Sequence, residues 1–235
     1  MAKNKLKRFE ENSTFPNLIQ PKFEEVFRVD HAIKGKWNET FFKNDKPIVL
    51  ELGCGKGEYT LGLAKQFPDK NFIGVDIKGA RLWRGAKTAH ESGMGNVAFV
   101  RTRIENITSF FGAGEVSEIW ITFPDPQLKR INALKRLTSS TFLKLYKTIL
   151  KPEGLIHLKT DSIELHRYTR TLVELNELKI HSCTDDLYST AKDDPILSIR
   201  TFYEQLFLDK GFSITYICFE LSNEKALIEH KYQRT

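Results

Sequence analysis

The stretch PIVLELGCGKG, residues 47–57, joins an apolar run to a turn rich in glycine. Gly53, Gly55 and Gly57 stand at alternate positions directly after the run. Glycines at a strand-to-helix turn let a ligand come close to the backbone. The spacing is E-x-G-x-G-x-G and not the G-x-G-x-x-G of dinucleotide sites, because Glu58 stands where the third glycine would be. The stretch therefore predicts the first strand and the ligand-binding turn of an α/β sheet.

Four later segments are also short, apolar and rich in β-branched or aromatic residues, as buried strands are. They are NFIGVDI (71–77), NVAFVRT (96–102), EIWITF (118–123) and GLIHLKT (154–160). The segments between them have helical spacing, as in the apolar stripe from Ser140 to Leu150. Strands that alternate with helices predict a mostly parallel sheet with helices on both faces.

The C-terminal part breaks this alternation. KIHSCT (179–184) has the pattern of a strand, Ile199 to Leu208 that of a helix, and FSITYICFEL (212–221) alternates like an edge strand. We therefore expect seven strands, with an antiparallel strand at the edge of the sheet.

The chain divides into three parts by composition. Residues 1–45 are polar, basic at the start and weakly periodic, which predicts a partly flexible extension. Residues 46–222 are expected to form a single domain, and residues 223–235 a charged tail.

Composition limits the class of protein. The chain has 235 residues, 40% of them hydrophobic and 28% charged, which is typical of a globular domain with a full core. The net charge of +6 favours a polyanionic partner. Three dispersed cysteines without a C-x-x-C motif predict a reducing, cytoplasmic environment, and six scattered histidines predict neither a metal site nor a catalytic histidine. No apolar run has the length of a membrane span.

Two acidic residues accompany the glycine turn. Glu51 lies within the first apolar run, where a carboxylate without a partner would be costly to bury, so a purely structural turn does not explain it. Asp76 ends the second strand, where a carboxylate can bind the two hydroxyls of a ribose. An S-adenosylmethionine site explains both, because the ammonium of the methionyl part needs an acidic residue beside the turn. We interpret Glu51, Gly53, Gly55 and Asp76 as residues that bind this cofactor, with residues 99–105 near the adenine.

A rigid loop follows the fourth strand. Asp125 stands between Pro124 and Pro126, and proline fixes the backbone on both sides of it. The carboxyl ends of parallel strands are the ligand-binding edge of such sheets. If the protein is a methyltransferase, this places Asp125 beside the transferred methyl. The cations that follow, Lys129, Arg130, Lys135 and Arg136, either contact phosphates of an RNA or form a solvated helix face.

These residues together resemble the tRNA (guanine-N7-)-methyltransferase family of bacteria. The similarity spans roughly residues 35–221 and rests on the following residues, in chain order: Gly35-Lys36-Trp37, Glu51 with Gly53, Gly55 and Gly57, Asp76, Phe123-Pro124-Asp125-Pro126 with Lys129, Lys159-Thr160-Asp161, and Thr201-Phe202-Tyr203-Glu204. The glycine turn is specific only for the superfamily, whereas F-P-D-P-x-x-K with T-D and T-x-Y-E behind it is specific for the family.

The resemblance implies a Rossmann-like class I methyltransferase fold and methyl transfer from S-adenosylmethionine to N7 of a guanine in the tRNA variable loop. It implies that Asp125 is catalytic and also contacts the cofactor, together with Arg103 and Ile104. It implies that the target guanosine is held by Lys129, Asp161, Thr201, Phe202, Tyr203 and Glu204. We expect tRNA as the partner, no membrane, no obligatory protein partner, and a monomer or homodimer.

The sequence departs from the family pattern at two places. Arg103 stands where the family usually has an acidic residue, so either Glu105 or backbone groups hold the adenine. Gln127-Leu128 stands before Lys129, where the family often has Trp or a similar aromatic residue together with His or Pro.

Several alternatives remain open from the residues alone. Asp161 can cap a helix, and Thr201–Glu204 can be an ordinary helix turn. The chain can also be another RNA methyltransferase or a non-catalytic RNA-binding relict. An amine acceptor is disfavoured because no aromatic ring follows Pro126, and the intact acidic residues disfavour the relict.

Overall fold

A computed structural model describes residues 2–190, 196–221 and 225–230. Its centre is one eight-stranded sheet in the order β1-β4-β3-β2-β5-β6-β8-β7. The strands are β1 (Leu18–Ile19), β2 (Ile48–Leu52), β3 (Asn71–Asp76), β4 (Val97–Arg101), β5 (Val116–Thr122), β6 (Leu150–Thr160), β7 (Ile180–Thr184) and β8 (Thr215–Glu220). Strands β1 to β6 are parallel to one another, and β8 is antiparallel to both β6 and β7.

Helices cover both faces of the sheet. The α-helices are α1 (Ala2–Asn12), α2 (Phe23–Val26), α3 (Glu58–Gln66), α4 (Gly79–Glu91), α5 (Ser140–Ile149), α6 (Ile163–Leu175), α7 (Leu187–Thr190) and α8 (Phe202–Asp209). A π-helical turn (Trp37–Phe42) and two 3-10 helices (Ile104–Ser109 and Arg130–Lys135) complete the set. Because strand side chains alternate, Ile48, Leu50 and Leu52 pack with α5 and α6, whereas Val49 packs with α3 and α4.

The order of the strands fixes where a ligand can bind. Strand β2 lies between β3 and β5. From β2 the chain adds β3 and β4 on one side, and it then crosses back to add β5 and β6 on the other side. In open α/β sheets this arrangement opens a crevice at the carboxyl ends of the strands. The turns after β2, β3 and β5 all meet there.

The predicted fold class is confirmed, with two differences in detail. The sheet gains an eighth strand, β1, which pairs with β4 through two residues. Strand β8 lies one place in from the edge, with β7 outside it. The alternation in its sequence does not reflect exposure, because its polar groups are bonded internally: Thr215 Oγ1 donates to Thr160 O at 2.8 Å, and Tyr216 Oη lies 2.8 Å from His157 Nδ1.

The N-terminal segment, which the sequence predicts to be a partly flexible extension, packs against the folded body. Trp37 is fully buried, stacks on Phe111 at 5.4 Å, and donates its indole N–H to Phe110 O at 2.9 Å. Glu115 accepts the backbone N–H groups of Gly35 and Trp37 at 2.9 and 3.0 Å. The Gly35-Lys36-Trp37 motif therefore anchors the segment to the start of β5.

Helix α1 is held against α4. The carboxylate of Glu11 accepts the indole N–H of Trp83 at 2.7 Å and pairs with Lys87 at 2.6 Å. Asn12 donates to Gly79 O at 3.0 Å. The division of the chain at residues 45 and 222 stays a prediction.

Residues 225–230 dock onto α5 and α6. Leu227 is buried in the core, and the carboxylate of Glu229 accepts the backbone N–H of Ser140 at 3.0 Å and the hydroxyl of Tyr168 at 2.7 Å. This part of the expected tail is therefore a structural element that caps α5.

Two further features concern the class of protein. Within the described ranges, no helix is both long and apolar enough to cross a bilayer. Cys54, Cys183 and Cys218 are free thiols.

Candidate active site

The glycine turn after β2 has a left-handed backbone. Gly53, Gly55 and Gly57 have φ of 76°, 58° and 72°. At Gly57 the constraint is doubled, because a Cβ would lie 2.6 Å from the Phe99 ring. Above Gly55, by contrast, no atom lies within 4 Å of a Cβ position. The turn thus leaves open space where a ligand can approach the backbone, as its glycines predict.

Glu51 points from β2 towards α3 and is almost fully buried. Its carboxylate accepts the backbone N–H of Thr60 at 2.8 Å, the Thr60 hydroxyl, and the Thr122 hydroxyl at 2.6 Å. Burial raises the pKa of Glu51 to about 7, although the hydrogen bonds from Thr122 and Thr60 oppose this shift. A carboxyl group in this state gains from a cationic ligand beside it.

Asp76 ends β3 beside the same turn. Its carboxylate accepts the backbone N–H of Gly55 at 2.9 Å and of Lys78 at 2.7 Å. A carboxylate has about four lone-pair sites, so these two bonds orient it and leave acceptor capacity for ribose hydroxyls.

An open groove of about 630 Å³ runs from Asp76 to the loop after β5. Gly53 and Asp76 line one part of it, and Phe123, Pro124 and Asp125 line another. This volume is within the usual range for small-molecule sites.

The segment after β4 also lines this groove. Arg103, Ile104 and Glu105 are all among its wall residues. The Arg103 guanidinium lies 5.6 Å from the centre of the Phe23 ring. Arg103 and Glu105 are both exposed on this wall.

Asp125 lies on an exposed but rigid turn. Its Oδ1 accepts the backbone N–H of Gln127 at 3.0 Å. Phe123 donates its backbone N–H to Lys159 O at 2.8 Å, which fixes the start of the loop. Arg136 is buried and donates to the carbonyls of Pro126 and Gln127, each at 3.3 Å. Arg136 thus supports the loop from beneath and is not available to an RNA, contrary to the expected basic cluster.

A smaller compartment of about 80 Å³ adjoins the groove. Its walls join Glu51 and the glycine turn to Thr201, Phe202 and Tyr203, about 150 residues later in the chain. Thr201 caps α8 and accepts the N–H of Glu204 at 3.1 Å. Phe202, the residue after Thr201, is held by Glu58, whose Oε2 accepts the Phe202 N–H at 2.9 Å.

Glu204 is not among the walls of this compartment, although the sequence led us to expect it at the guanosine. Its side chain is fully buried, pairs with Lys159 at 2.7 Å, and accepts the Tyr188 hydroxyl at 2.5 Å. Lys159 also donates to the carbonyls of Leu197 at 2.7 Å and Ile199 at 3.1 Å. The carboxylate of Glu204 is therefore occupied by groups of the protein itself.

Two predicted substrate residues lie outside the groove walls. Lys129 is exposed at the start of the 3-10 helix Arg130–Lys135. Asp161 is half-buried directly after β6, and burial raises its pKa. It is not the cap of α6, because Ser162 accepts the Leu165 N–H at that position.

Sequence reasoning missed several residues of the site. Thr60 and Thr122 hold Glu51, Tyr188 donates to Glu204, and Arg81 lines both compartments. Lys159 was named only as part of the Lys159-Thr160-Asp161 motif, and its pairing with Glu204 was not predicted, although a charged residue within an apolar strand, like Glu51, needs a partner. Among the residues that the structure describes, no cluster of three or more His, Cys, Asp or Glu is arranged to hold a metal ion.

The arrangement fits S-adenosylmethionine. The open turn at Gly55 lets the cofactor come close to the protein backbone. The buried carboxylate of Glu51 suits the cofactor's ammonium, and Asp76 has free acceptor capacity for its ribose. These three features lie along one continuous crevice at the switch point of the sheet.

Comparison with known proteins gives the family. A family model described as putative methyltransferase matches residues 45–217. The tRNA (guanine-N(7)-)-methyltransferase of Bacteroides thetaiotaomicron is 54% identical over 97% of this chain and 90% of its own length. The enzyme of that name from Christiangramia forsetii is 55% identical over 94% of this chain and 99% of its own length.

Solved structures show the same fold at low identity. The 16S rRNA methyltransferase KamB has a TM-score of 0.61 at 14% identity, over 83% of this chain and 99% of its own. A geranyl diphosphate methyltransferase has a TM-score of 0.52 at 18% identity, over 75% of this chain and 71% of its own. Since these two act on unrelated acceptors, they show the fold alone. The relatives in sequence are decisive, and the chain belongs to the tRNA (guanine-N(7)-)-methyltransferase family.

Proposed function

We propose that this chain transfers a methyl group from S-adenosylmethionine to N7 of a guanine in the variable loop of tRNA, forming 7-methylguanosine. The observation that carries the proposal is the position of Asp125, which is fixed on the wall of the groove that begins at the glycine turn. The high identity to relatives with this activity supports the same reaction.

The chemistry makes few demands on acid–base groups. The cofactor supplies an electrophilic methyl group when it is bound. Guanine N7 offers an in-plane lone pair and has no proton to lose, so no general base is needed to expose it. The task of the protein is to align the acceptor, which is mainly an effect of orientation.

Asp125 performs this task in the proposal. Its carboxylate accepts N–H donors of the guanine and stabilises the positive charge that develops on the purine. The turn bond from Gln127, the flanking prolines and the support from Arg136 hold it in place before the substrate arrives. A preorganised carboxylate of this kind costs no reorganisation during the reaction.

The acceptor side is formed by separate segments. Thr201, Phe202 and Tyr203 line the smaller compartment, and both aromatic rings are partly exposed, as stacking on an unpaired base requires. In the proposal, Lys129 and Asp161 contribute to the acceptor side from the loops after β5 and β6. The exposed cations of the segment after Asp125 are suited to tRNA phosphates, which position an RNA without reading its sequence.

The test is methyl transfer from labelled S-adenosylmethionine to unmodified tRNA transcripts, with identification of the product nucleoside. We expect 7-methylguanosine, and its loss when the variable-loop guanine is replaced. Label in another nucleoside would keep the fold and the cofactor but overturn the acceptor. Bound cofactor without any transfer would favour the non-catalytic relict.

The cellular setting is part of the same proposal. We place the protein in the cytoplasm, where tRNA is modified, and we propose that it acts as a monomer or homodimer without an obligatory protein partner. Activity of the purified chain alone tests the last point, and light scattering measures the oligomer.

A further inference from the structure

The smaller compartment has an unusual distribution of charge. Its walls include the buried carboxylate of Glu51 and two cations, Lys56 and Arg81. The compartment opens into the larger groove, with which it shares Gly53, Arg81 and Phe123 as wall residues. Arg81 thus lies at the junction of the two spaces.

Arg81 is only weakly used by the protein itself. Its Nη2 lies 3.5 Å from the Tyr203 hydroxyl, which is longer than a good hydrogen bond. No ion pair of Arg81 occurs within residues 2–190, 196–221 and 225–230. Lys56 is engaged differently, since its ammonium lies 4.7 Å from the centre of the Phe202 ring. The guanidinium of Arg81 therefore lies in the site with hydrogen-bonding capacity that a ligand can use.

The size of the compartment limits what that acceptor can be. A space of about 80 Å³ suits a small polar group such as an amino-acid head group, and the adjoining groove can take the rest of the ligand. The head group of S-adenosylmethionine carries an ammonium and a carboxylate on one carbon. When the ammonium lies at Glu51, the carboxylate is brought into the same partly enclosed space, where an unpaired charge is costly.

We propose that Arg81 binds the α-carboxylate of S-adenosylmethionine, so that Glu51 and Arg81 together form a site for the zwitterionic end of the cofactor. The planar guanidinium suits this role because it can bind a carboxylate through two parallel hydrogen bonds. The inference rests on the proposed function and adds a specificity-determining residue to it.

The test compares ligands that differ only at this end. Arg81→Met is titrated calorimetrically with S-adenosylhomocysteine and with 5′-methylthioadenosine, which lacks both charged groups. We expect affinity for S-adenosylhomocysteine to fall about 10- to 100-fold and affinity for 5′-methylthioadenosine to stay unchanged. Arg84→Met is the matched control, because Arg84 is exposed on the same helix and lines neither space.

A second ligand pair isolates the carboxylate. Decarboxylated S-adenosylmethionine keeps the ammonium, so the wild-type protein should bind it more weakly than S-adenosylmethionine by the factor that Arg81→Met loses. Arg81→Met should lose little further affinity when the ligand lacks its carboxylate, because the interaction between Arg81 and the carboxylate is already absent from the variant.

Three results would overturn the assignment. An equal loss for 5′-methylthioadenosine would mean that Arg81 only shapes the groove. An unchanged affinity for S-adenosylhomocysteine combined with weaker tRNA binding would assign Arg81 to an RNA phosphate. Full additivity of the variant and the decarboxylated ligand would show that the two groups do not meet. A wild-type protein that binds S-adenosylhomocysteine but methylates no tRNA would instead refute the proposed function and leave Arg81 testable.

Discussion

Lys159 Nζ lies 2.7 Å from Glu204 Oε1, and neither side chain has any exposure to solvent. The pair connects β6 to the start of α8, and two carbonyls of the preceding segment bond to the same ammonium. The wall formed by Thr201, Phe202 and Tyr203 is thus set by an ion pair inside the protein. An ion pair in such a place serves to fix geometry more than to add stability.

Lys159→Met tests this role. The change leaves Glu204 buried without its partner, and we expect the free energy of unfolding to fall by about 3–5 kcal/mol. Chemical denaturation measures the loss. In the double variant Lys159→Met/Glu204→Gln, part of the stability should return because no unpaired charge remains.

The kinetics of the double variant separate stability from positioning. If the ion pair holds the acceptor wall, KM for tRNA rises while affinity for S-adenosylhomocysteine is retained. Normal kinetics in a stable double variant would contradict the positioning role.

Asp125→Asn should abolish most turnover. The amide keeps the size of the side chain but removes the negative charge that faces the developing purinium, so we expect kcat to fall by about 10²- to 10³-fold. Calorimetry should show that S-adenosylhomocysteine still binds, since the glycine turn is untouched. A variant with normal kcat would remove Asp125 from the mechanism.

Affinity for S-adenosylmethionine should depend on pH through Glu51. Because the pKa of this carboxyl is raised to about 7 in the free protein, it is largely protonated below that pH and cannot receive an ammonium without losing its proton. We expect the Kd to rise about tenfold for each unit below pH 7. The Glu51→Gln variant should bind more weakly and without this dependence; a flat wild-type profile would contradict the raised pKa.

The same shift affects stability in a defined direction. The native state binds a proton that the unfolded chain releases between the ordinary pKa of 4.5 and about 7, so this group destabilises the fold progressively as the pH rises through that window. The full effect is about 3 kcal/mol, by the free energy per pKa unit. Denaturation curves of Glu51→Gln should lack this slope.

Binding to tRNA should weaken steeply with salt. Lys129, Arg130 and Lys135 are exposed on the loop beyond Asp125, and each phosphate that they contact releases counterions. Replacing all three with Gln should reduce the slope of log K against log salt by about two. The control replaces Lys43, Lys65 and Lys151, which are exposed and lie near the amino ends of the strands, away from the crevice at the carboxyl ends. Equal slopes in both triple variants would mean that the loop cations form only a solvated face.

Trp37→Ala should show that the N-terminal segment is part of the core. Removal of a fully buried indole leaves a cavity and an unbonded Phe110 carbonyl, and we expect a loss of about 3–5 kcal/mol in the free energy of unfolding. Val29→Ala is the control, since Val29 is exposed on the same segment and should change stability by less than about 0.5 kcal/mol. Equal stability of the two variants would restore the picture of a flexible extension.

The sequence was most informative where a residue contradicted its surroundings. Glu51 was recognised because a carboxylate in an apolar strand needs a reason, and the glycines because few other residues tolerate their backbone angles. The sheet followed from local apolar patterns, since each strand and helix is visible within its own segment.

Residues that act through distant partners were not predictable. Glu204 looks like a ligand residue in sequence, and only the fold reveals that Lys159 occupies it. Trp37 packs on a segment about 75 residues away in the sequence. Strand β8 is covered at the edge of the sheet by β7, and the pairing of these two strands is not visible in either segment alone. No local pattern reports such contacts.

The enclosed position of β8 also has a consequence for synthesis on the ribosome. Among the strands that the structure describes, β7 pairs only with β8, and the 36 residues that follow Thr184, up to Glu220, must be translated before β8 is complete. At about 5–20 residues per second this takes a few seconds, during which β6 and β7 present open hydrogen-bonding edges. The nascent chain is therefore most open to aggregation or chaperone capture just before its last strand emerges.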